Sequence, residues 1–209
     1  MKKYLTLILM IFCFSTAEAK FFLGVDGGYE MSDITLQSGE KGHVLWGGSI
    51  FKNIARLDAW TAGINLGTEH EINNFLNLRW FLGLNYGQNI NFKAIYQLQQ
   101  IDIQLGVDTI FNFVKSKSYS FGLLLGLGTN LNTGDFFGMF FKKDLPLENF
   151  ITSYGQVGIF GNVGLTLGLG EHSRIDFITR IPIMNVVLTQ GGGVIYSPIR
   201  FTVGYKYLF

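Results

Sequence analysis

The sequence predicts an all-β protein, an eight-stranded antiparallel up-and-down transmembrane β-barrel, and three observations carry that expectation. Eight segments alternate residue by residue between an apolar set and a polar or small set, which places the two sets on opposite faces of a strand. None of the apolar sets contains a charged residue. The connections between segments alternate in kind, tight polar turns following the even-numbered strands and longer segments following most of the odd ones.

Composition agrees with that class. The chain is 48% hydrophobic but only 15% charged, yet beyond its N-terminus no apolar run approaches the roughly 20 residues that a membrane helix needs. Its apolar residues are dispersed by alternation. At the N-terminus, Lys2 and Lys3, the apolar stretch Tyr4 to Phe14 and Ala17-Glu18-Ala19 have the order of a secretory signal peptide, so residues 1–19 are expected to be removed and 20–209 to form the barrel. Cys13, the single cysteine, lies within the removed segment behind Phe12, where lipidation would need a small residue. The mature chain then has no disulfide framework and no thiol chemistry. Its acidic and basic residues balance, which offers no footprint for nucleic acid.

The first strand, Phe21 to Ser32, sets Leu23, Val25, Gly27, Tyr29 and Met31 against Gly24, Asp26, Gly28 and Glu30. Asp33 to about Leu57 reads as a loop. The second strand opposes Trp60, Ala62, Ile64 and Leu66 to Thr61, Gly63, Asn65 and Gly67, and Glu69-His70-Glu71 reads as a polar turn. The third has the cleanest alternation, Leu76 to Tyr86 against Asn77, Arg79, Phe81, Gly83, Asn85 and Gly87, before a short loop near Gln88 to Phe92. The fourth opposes Ile101 to Phe111 to Gln100, Asp102, Gln104, Gly106, Asp108 and Asn112, and Lys115 to Ser118 turns the chain.

In the fifth strand Tyr119, Phe121, Leu123, Leu125 and Leu127 face outward against Ser120, Gly122, Leu124, Gly126 and Gly128, and a long segment follows from Leu131 to about Ser153. The sixth sets Val157, Ile159, Val163, Leu165 and Leu167 against Gln156, Gly158, Phe160, Asn162, Thr166 and Gly168, with a turn at Gly170 to Ser173. The seventh sets Ile175, Phe177, Thr179, Ile181 and Ile183 against Arg174, Asp176, Ile178 and Arg180, and a loop around Gln190 to Gly193 leads to the eighth. There Ile199, Phe201, Val203, Tyr205, Tyr207 and Phe209 alternate with Arg200, Thr202, Gly204, Lys206 and Leu208.

Charge confined to one face is what a bilayer enforces, since one Arg or Lys on the lipid side near the midplane costs roughly 2–4 kcal/mol. Closure into a barrel also satisfies the edge backbone groups that lipid cannot. Both termini are expected on the short-turn, periplasmic side, with outer-membrane lipid and lipopolysaccharide as surroundings.

Two C-terminal stretches resemble a known family. Ile175-Asp176-Phe177-Ile178-Thr179-Arg180-Ile181-Pro182 and the closing Phe201 to Phe209 are similar to the end of Helicobacter-type outer membrane proteins, and Phe21-Phe22-Leu23-Gly24-Val25 to Tyr29 resembles that family's first mature strand. The resemblance implies an outer-membrane barrel whose Tyr205, Tyr207 and Phe209 form the signal read by the barrel-assembly machinery. Larger members include adhesins with an inserted extracellular domain and cysteine pairs, and others are porins. This chain lacks the insertion and those cysteines.

An eight-stranded barrel is just wide enough for side chains to fill. The inward charges are Asp26, Glu30, Asp102, Asp108 and Asp176 against Arg79, Arg174, Arg180, Arg200 and Lys206. They form either a salt-bridged plug or a gated narrow pore whose ion pairs rearrange. Catalysis is not expected: His43, His70 and His172 fall in loops or turns, away from any strand face that pairs a Ser with an acid. They are also too scattered for a metal site, and no cofactor is expected. In the third long loop Phe136, Phe137, Met139, Phe140 and Phe141 precede Lys142 and Lys143, an apolar cluster with the character of an interaction surface or of packing against neighbouring loops and lipopolysaccharide.

Overall fold

The computed structural model describes residues 19–37, 44–46, 56–90, 99–134, 155–187, 193–196 and 198–209. They form ten strands: β1 (Ala19–Gln37), β2 (Val44–Trp46), β3 (Arg56–Glu71), β4 (Leu76–Asn89), β5 (Gln99–Lys115), β6 (Tyr119–Gly134), β7 (Gly155–Leu169), β8 (Ser173–Val187), β9 (Gly193–Tyr196) and β10 (Ile199–Leu208). Eight of these, β1, β3 to β8 and β10, pair antiparallel with their neighbours, and β10 pairs with both β8 and β1 to close the barrel.

The paired residues can be followed once around the wall. Lys20 lies opposite Glu69, Glu69 opposite Arg79, Arg79 opposite Asp108 and Asp108 opposite Gly126. Gly126 then meets Asn162, Asn162 meets Arg180, Arg180 meets Arg200 and Arg200 meets Glu30. The path begins at position 20 of β1 and returns at position 30, the stagger that a tilted, closed sheet requires.

Three tight turns share one rim with both ends of the last barrel seam. In the first, the Asn73 side-chain oxygen accepts from the N–H groups of Phe75 and Leu76, each at 2.9 Å, an Asx turn. The third starts at Gly170, whose φ of 68° lies in the left-handed region that glycine enters without strain. Leu208 N–H donates to the His172 carbonyl at 2.7 Å and Phe209 N–H to that of Phe21 at 2.8 Å.

The structure corrects the sequence reading at several boundaries. The segment Asp33 to Leu57 holds the end of β1, the short β2 and the start of β3. Glu69, His70 and Glu71 belong to β3, and the turn falls at residues 72–75. Gln88 and Asn89 extend β4, Leu131 to Gly134 extend β6, and Gly193 opens β9. In each case the strand runs on past the apolar face, where paired backbone no longer needs a lipid-facing side chain.

The upper part of β8 is irregular. Ile159 pairs with Met184 but Phe160 with Pro182, so Ile183 is an extra residue in the strand. Pro182 cannot donate a ladder hydrogen bond, and a bulge is where a strand tolerates one. Arg180 is the last β8 residue paired with β10, and beyond the bulge Met184, Asn185 and Val186 pair with β2 instead. On the other side, β9 continues the register in which β10 pairs with β1.

The faces sort as the alternation requires. Outside, Leu82, Leu105, Leu127, Val203 and their neighbours are exposed. Inside, Phe22, Phe81, Phe160 and Leu208 are buried together. Inward glycines make room for them: a Cβ on Gly128 would stand 2.4 Å from the Phe160 ring, and one on Gly106 2.6 Å from that of Phe81. Aromatics gather at the turn rim, with Phe21 and Phe209 ring centroids 5.8 Å apart and those of Tyr207 and Phe209 5.0 Å apart. Trp60 and Tyr86 lie tilted against one another, ring centroids 5.5 Å apart, toward the other rim. Aromatic residues at both edges of an apolar band are the pattern of a membrane-spanning barrel.

Candidate functional site

The lumen is crossed by ion pairs at three levels. Nearest the turn rim, Arg174 on β8 reaches Glu69 on β3 at 2.5 Å, and Asn77 donates to the same Glu69 oxygen at 2.7 Å. Asn112 extends the chain by donating to Asn77 at 3.1 Å.

At the middle level Arg79 on β4 binds two carboxylates. Its Nη2 meets Asp108 on neighbouring β5 at 3.0 Å, and its Nη1 meets Asp176 on β8 at 2.9 Å. In the ring of eight, β4 and β8 stand on opposite sides, so the second contact spans the lumen. Asp176 also takes Lys206 from β10, and Asp108 accepts from Asn162 at 3.0 Å. The Phe22 ring packs against both cations, its centroid 5.7 Å from the Arg79 guanidinium carbon and 5.9 Å from the Lys206 ammonium.

The upper level repeats this plan. Arg200 on β10 pairs with Glu30 on neighbouring β1 and with Asp102 on opposite β5, the latter at 3.0 Å. Gln100 donates to Glu30, and Gln104 and Asn130 donate to Asp102, the Asn130 bond at 2.9 Å. Arg79 and Asp176 are both fully buried, and such charges persist only when paired and hydrogen-bonded.

Of the ten inward charges expected from the sequence, eight enter ion pairs: Glu30, Arg79, Asp102, Asp108, Arg174, Asp176, Arg200 and Lys206. Asp26 instead accepts from Asn65 at 2.7 Å. Arg180 donates Nε–H to Asn162 at 3.1 Å and lies over the Phe160 ring, 4.1 Å from its centroid. Glu69 is a partner that sequence reading placed in a turn. The signal for it was present, because Thr61, Gly63, Asn65 and Gly67 run in steps of two directly to Glu69.

Cavities of about 30 and 20 Å³ lie in the middle and upper lumen, room for a water or two each. At the turn rim a vestibule of about 860 Å³ opens above Glu69, Arg174 and Leu208. Tyr205, Tyr207 and Phe209 lie outside the wall, exposed. Phe136, Phe137, Met139, Phe140, Phe141 and His43 lie outside the described residues. His70 is on β3, its Nε2 2.8 Å from the Thr68 hydroxyl, and His172 Nδ1 is 2.8 Å from the Leu208 carbonyl oxygen. No group of three or more His, Cys, Asp or Glu that could hold a metal occurs among the described residues.

The family model described as Helicobacter outer membrane protein matches residues 63–209, from within β3 to the terminal Phe. The chain belongs to that family. Members of the Helicobacter outer membrane protein family are outer-membrane proteins, and the present one is a closed eight-stranded barrel. Its first matched strand is the one that supplies Glu69, and its last closes the wall.

Among solved structures, the chain is similar to Neisserial surface protein A at 16% identity and a TM-score of 0.48, covering 92% of this chain and 99% of that one. It is similar to OprG from Pseudomonas aeruginosa at 15% identity and a TM-score of 0.45, covering 92% and 97%. For Ail, the attachment invasion locus protein of Yersinia pestis, the values are 14%, 0.40, 90% and 98%. No curated protein matches the chain in sequence.

Proposed function

We propose that this Helicobacter outer membrane protein family member is a closed barrel with a filled polar lumen, acting in outer-membrane structure or in surface contacts made by its long loops. One observation carries the reading. Arg79 and Arg200 each bind a carboxylate on a neighbouring strand and another on the opposite strand, so the lumen is tied across at two heights, with Arg174 and Glu69 as a third tie. Opening a path means separating buried charges, which costs several kcal/mol per ion left unpaired.

Binding would then fall to the loops, where the apolar run Phe136 to Phe141 beside Lys142 and Lys143 supports contact with lipopolysaccharide or an extracellular ligand. The apolar outer face supports contact with lipid. Tyr205, Tyr207 and Phe209 support recognition by the barrel-assembly machinery, after removal of residues 1–19 and with both termini in the periplasm.

Swelling of protein-containing liposomes in a small sugar tests the reading. The closed barrel gives the swelling rate of protein-free liposomes, and a faster, protein-dependent rate would overturn it. A narrow ion or solute channel is the second reading, favoured by the vestibule and the two small cavities.

A further inference from the structure

Arg180 and Arg200 stand directly opposite one another on paired strands, both facing the lumen. Along the stepped path Lys20, Glu69, Arg79, Asp108 the sign of charge alternates, and after the uncharged Gly126 and Asn162 the path meets two cations in succession at this seam. A second pair of facing cations, Arg174 and Lys206, is resolved by giving Glu69 to one and Asp176 to the other. Arg180 and Arg200 are not resolved in that way. Arg200 pairs with Glu30 and Asp102, while Asp26 and Asp108, across the neighbouring cavity of about 30 Å³, are engaged by Asn65 and by Arg79. Arg180 has no carboxylate within ion-pair distance among the described residues, and its terminal nitrogens make no hydrogen bond there.

Arg180 and Arg200 both line the same cavity of about 20 Å³. Asn130, Asn132 and Asn185 add amide groups to its wall, and Asp102, the one carboxylate among the described residues that line it, is already bonded to Arg200 and Asn130. Two like charges held side by side in a poorly solvated interior repel strongly, and an anion between them removes the repulsion. The space holds a particle the size of one water and excludes large polyatomic anions.

We propose that this cavity is a binding site for a small monovalent inorganic anion of halide size, held between the Arg180 and Arg200 guanidiniums on the long-loop side of the Phe160 ring. The site stands whether or not the lumen conducts, because it needs access from one side only.

Line broadening of the ³⁵Cl resonance, titrated with purified full-length protein in detergent, reads the site directly. Sodium gluconate keeps ionic strength constant and is too large to compete. Wild-type protein is expected to give saturable broadening that bromide reverses. Arg180→Gln should weaken apparent chloride affinity at least tenfold, while Lys117→Gln, at the turn rim, leaves it unchanged. Should Arg180→Gln fail to fold, Asn132→Asp, which adds a carboxylate to the cavity wall at nearly constant volume, is expected to abolish the saturable component. Absence of saturable broadening in the wild type, or equal broadening in wild type and cavity variants, would overturn the proposal.

Discussion

Arg79 Nη1 lies 2.9 Å from Asp176 Oδ2, although the two residues come from strands on opposite sides of the barrel. The same guanidinium holds Asp108 at 3.0 Å, so one side chain ties three strands, β4, β5 and β8. Arg79→Ala leaves Asp108 buried without its cation and Asp176 with Lys206 alone. A loss of about 3–5 kcal/mol in unfolding free energy is expected in detergent or lipid, measured by urea denaturation. A loss below about 1 kcal/mol, the range of an exposed pair, would mean that the lumen is open to water at this level.

Inward glycines set the fit around the lumenal aromatics. Gly128→Ala brings a Cβ to within 2.4 Å of the Phe160 ring and 2.8 Å of the Leu105 carbonyl oxygen, and overpacking of this kind costs about 1–3 kcal/mol. Gly161, on the outer face between inward Phe160 and Asn162, has the Ile183 Cδ1 at 3.6 Å as the nearest atom to a new Cβ, so Gly161→Ala is expected to stay within about 0.5 kcal/mol of wild type. The temperature of the folded-to-unfolded gel-mobility shift ranks the two variants, and an equal shift would contradict the packing.

The outer face answers to lipid. Leu82, at the middle of β4 and exposed, is replaced by Arg at a cost of roughly 2–4 kcal/mol in phospholipid vesicles, whereas Tyr119→Arg, beside a turn, costs about 0–1 kcal/mol. Equal costs at the two positions would mean that no bilayer covers this face.

The exposed aromatic end of β10 separates assembly from stability. Tyr205, Tyr207 and Phe209 contribute outside contacts only, so Phe209→Ala is expected to refold in detergent with the wild-type midpoint to within about 0.5 kcal/mol. In cells the same variant is expected to reach the outer membrane at a fraction of the wild-type level, read by quantitative immunoblot of folded protein. Unchanged cellular levels would remove the assembly role from this residue.

Much of the fold is legible in the sequence because lipid imposes a simple rule. Leu76 to Tyr86 alternate with Asn77 to Gly87 since each outward residue meets hydrocarbon, and an exception there is expensive. Where the rule relaxes, legibility ends. Glu69-His70-Glu71 has the composition of a turn, yet β3 carries on through it because these residues stand near the rim, where charge is tolerated. The three residues of β2 and four of β9 are too few for any period. Inward charges are readable one strand at a time, but their partners are not. That Arg79 meets Asp176, and that Arg180 meets no acid among the described residues, depends on register accumulated around the whole ring.

Planar-bilayer recording of the purified, refolded protein addresses the cross-tied lumen most directly. The expected result is a silent wild type, with conductance steps appearing only in a variant that combines Arg79→Ala, Arg174→Ala and Arg200→Ala and so removes the ties at all three levels. Steady single-channel steps from the wild type, unchanged in the variant, would contradict it.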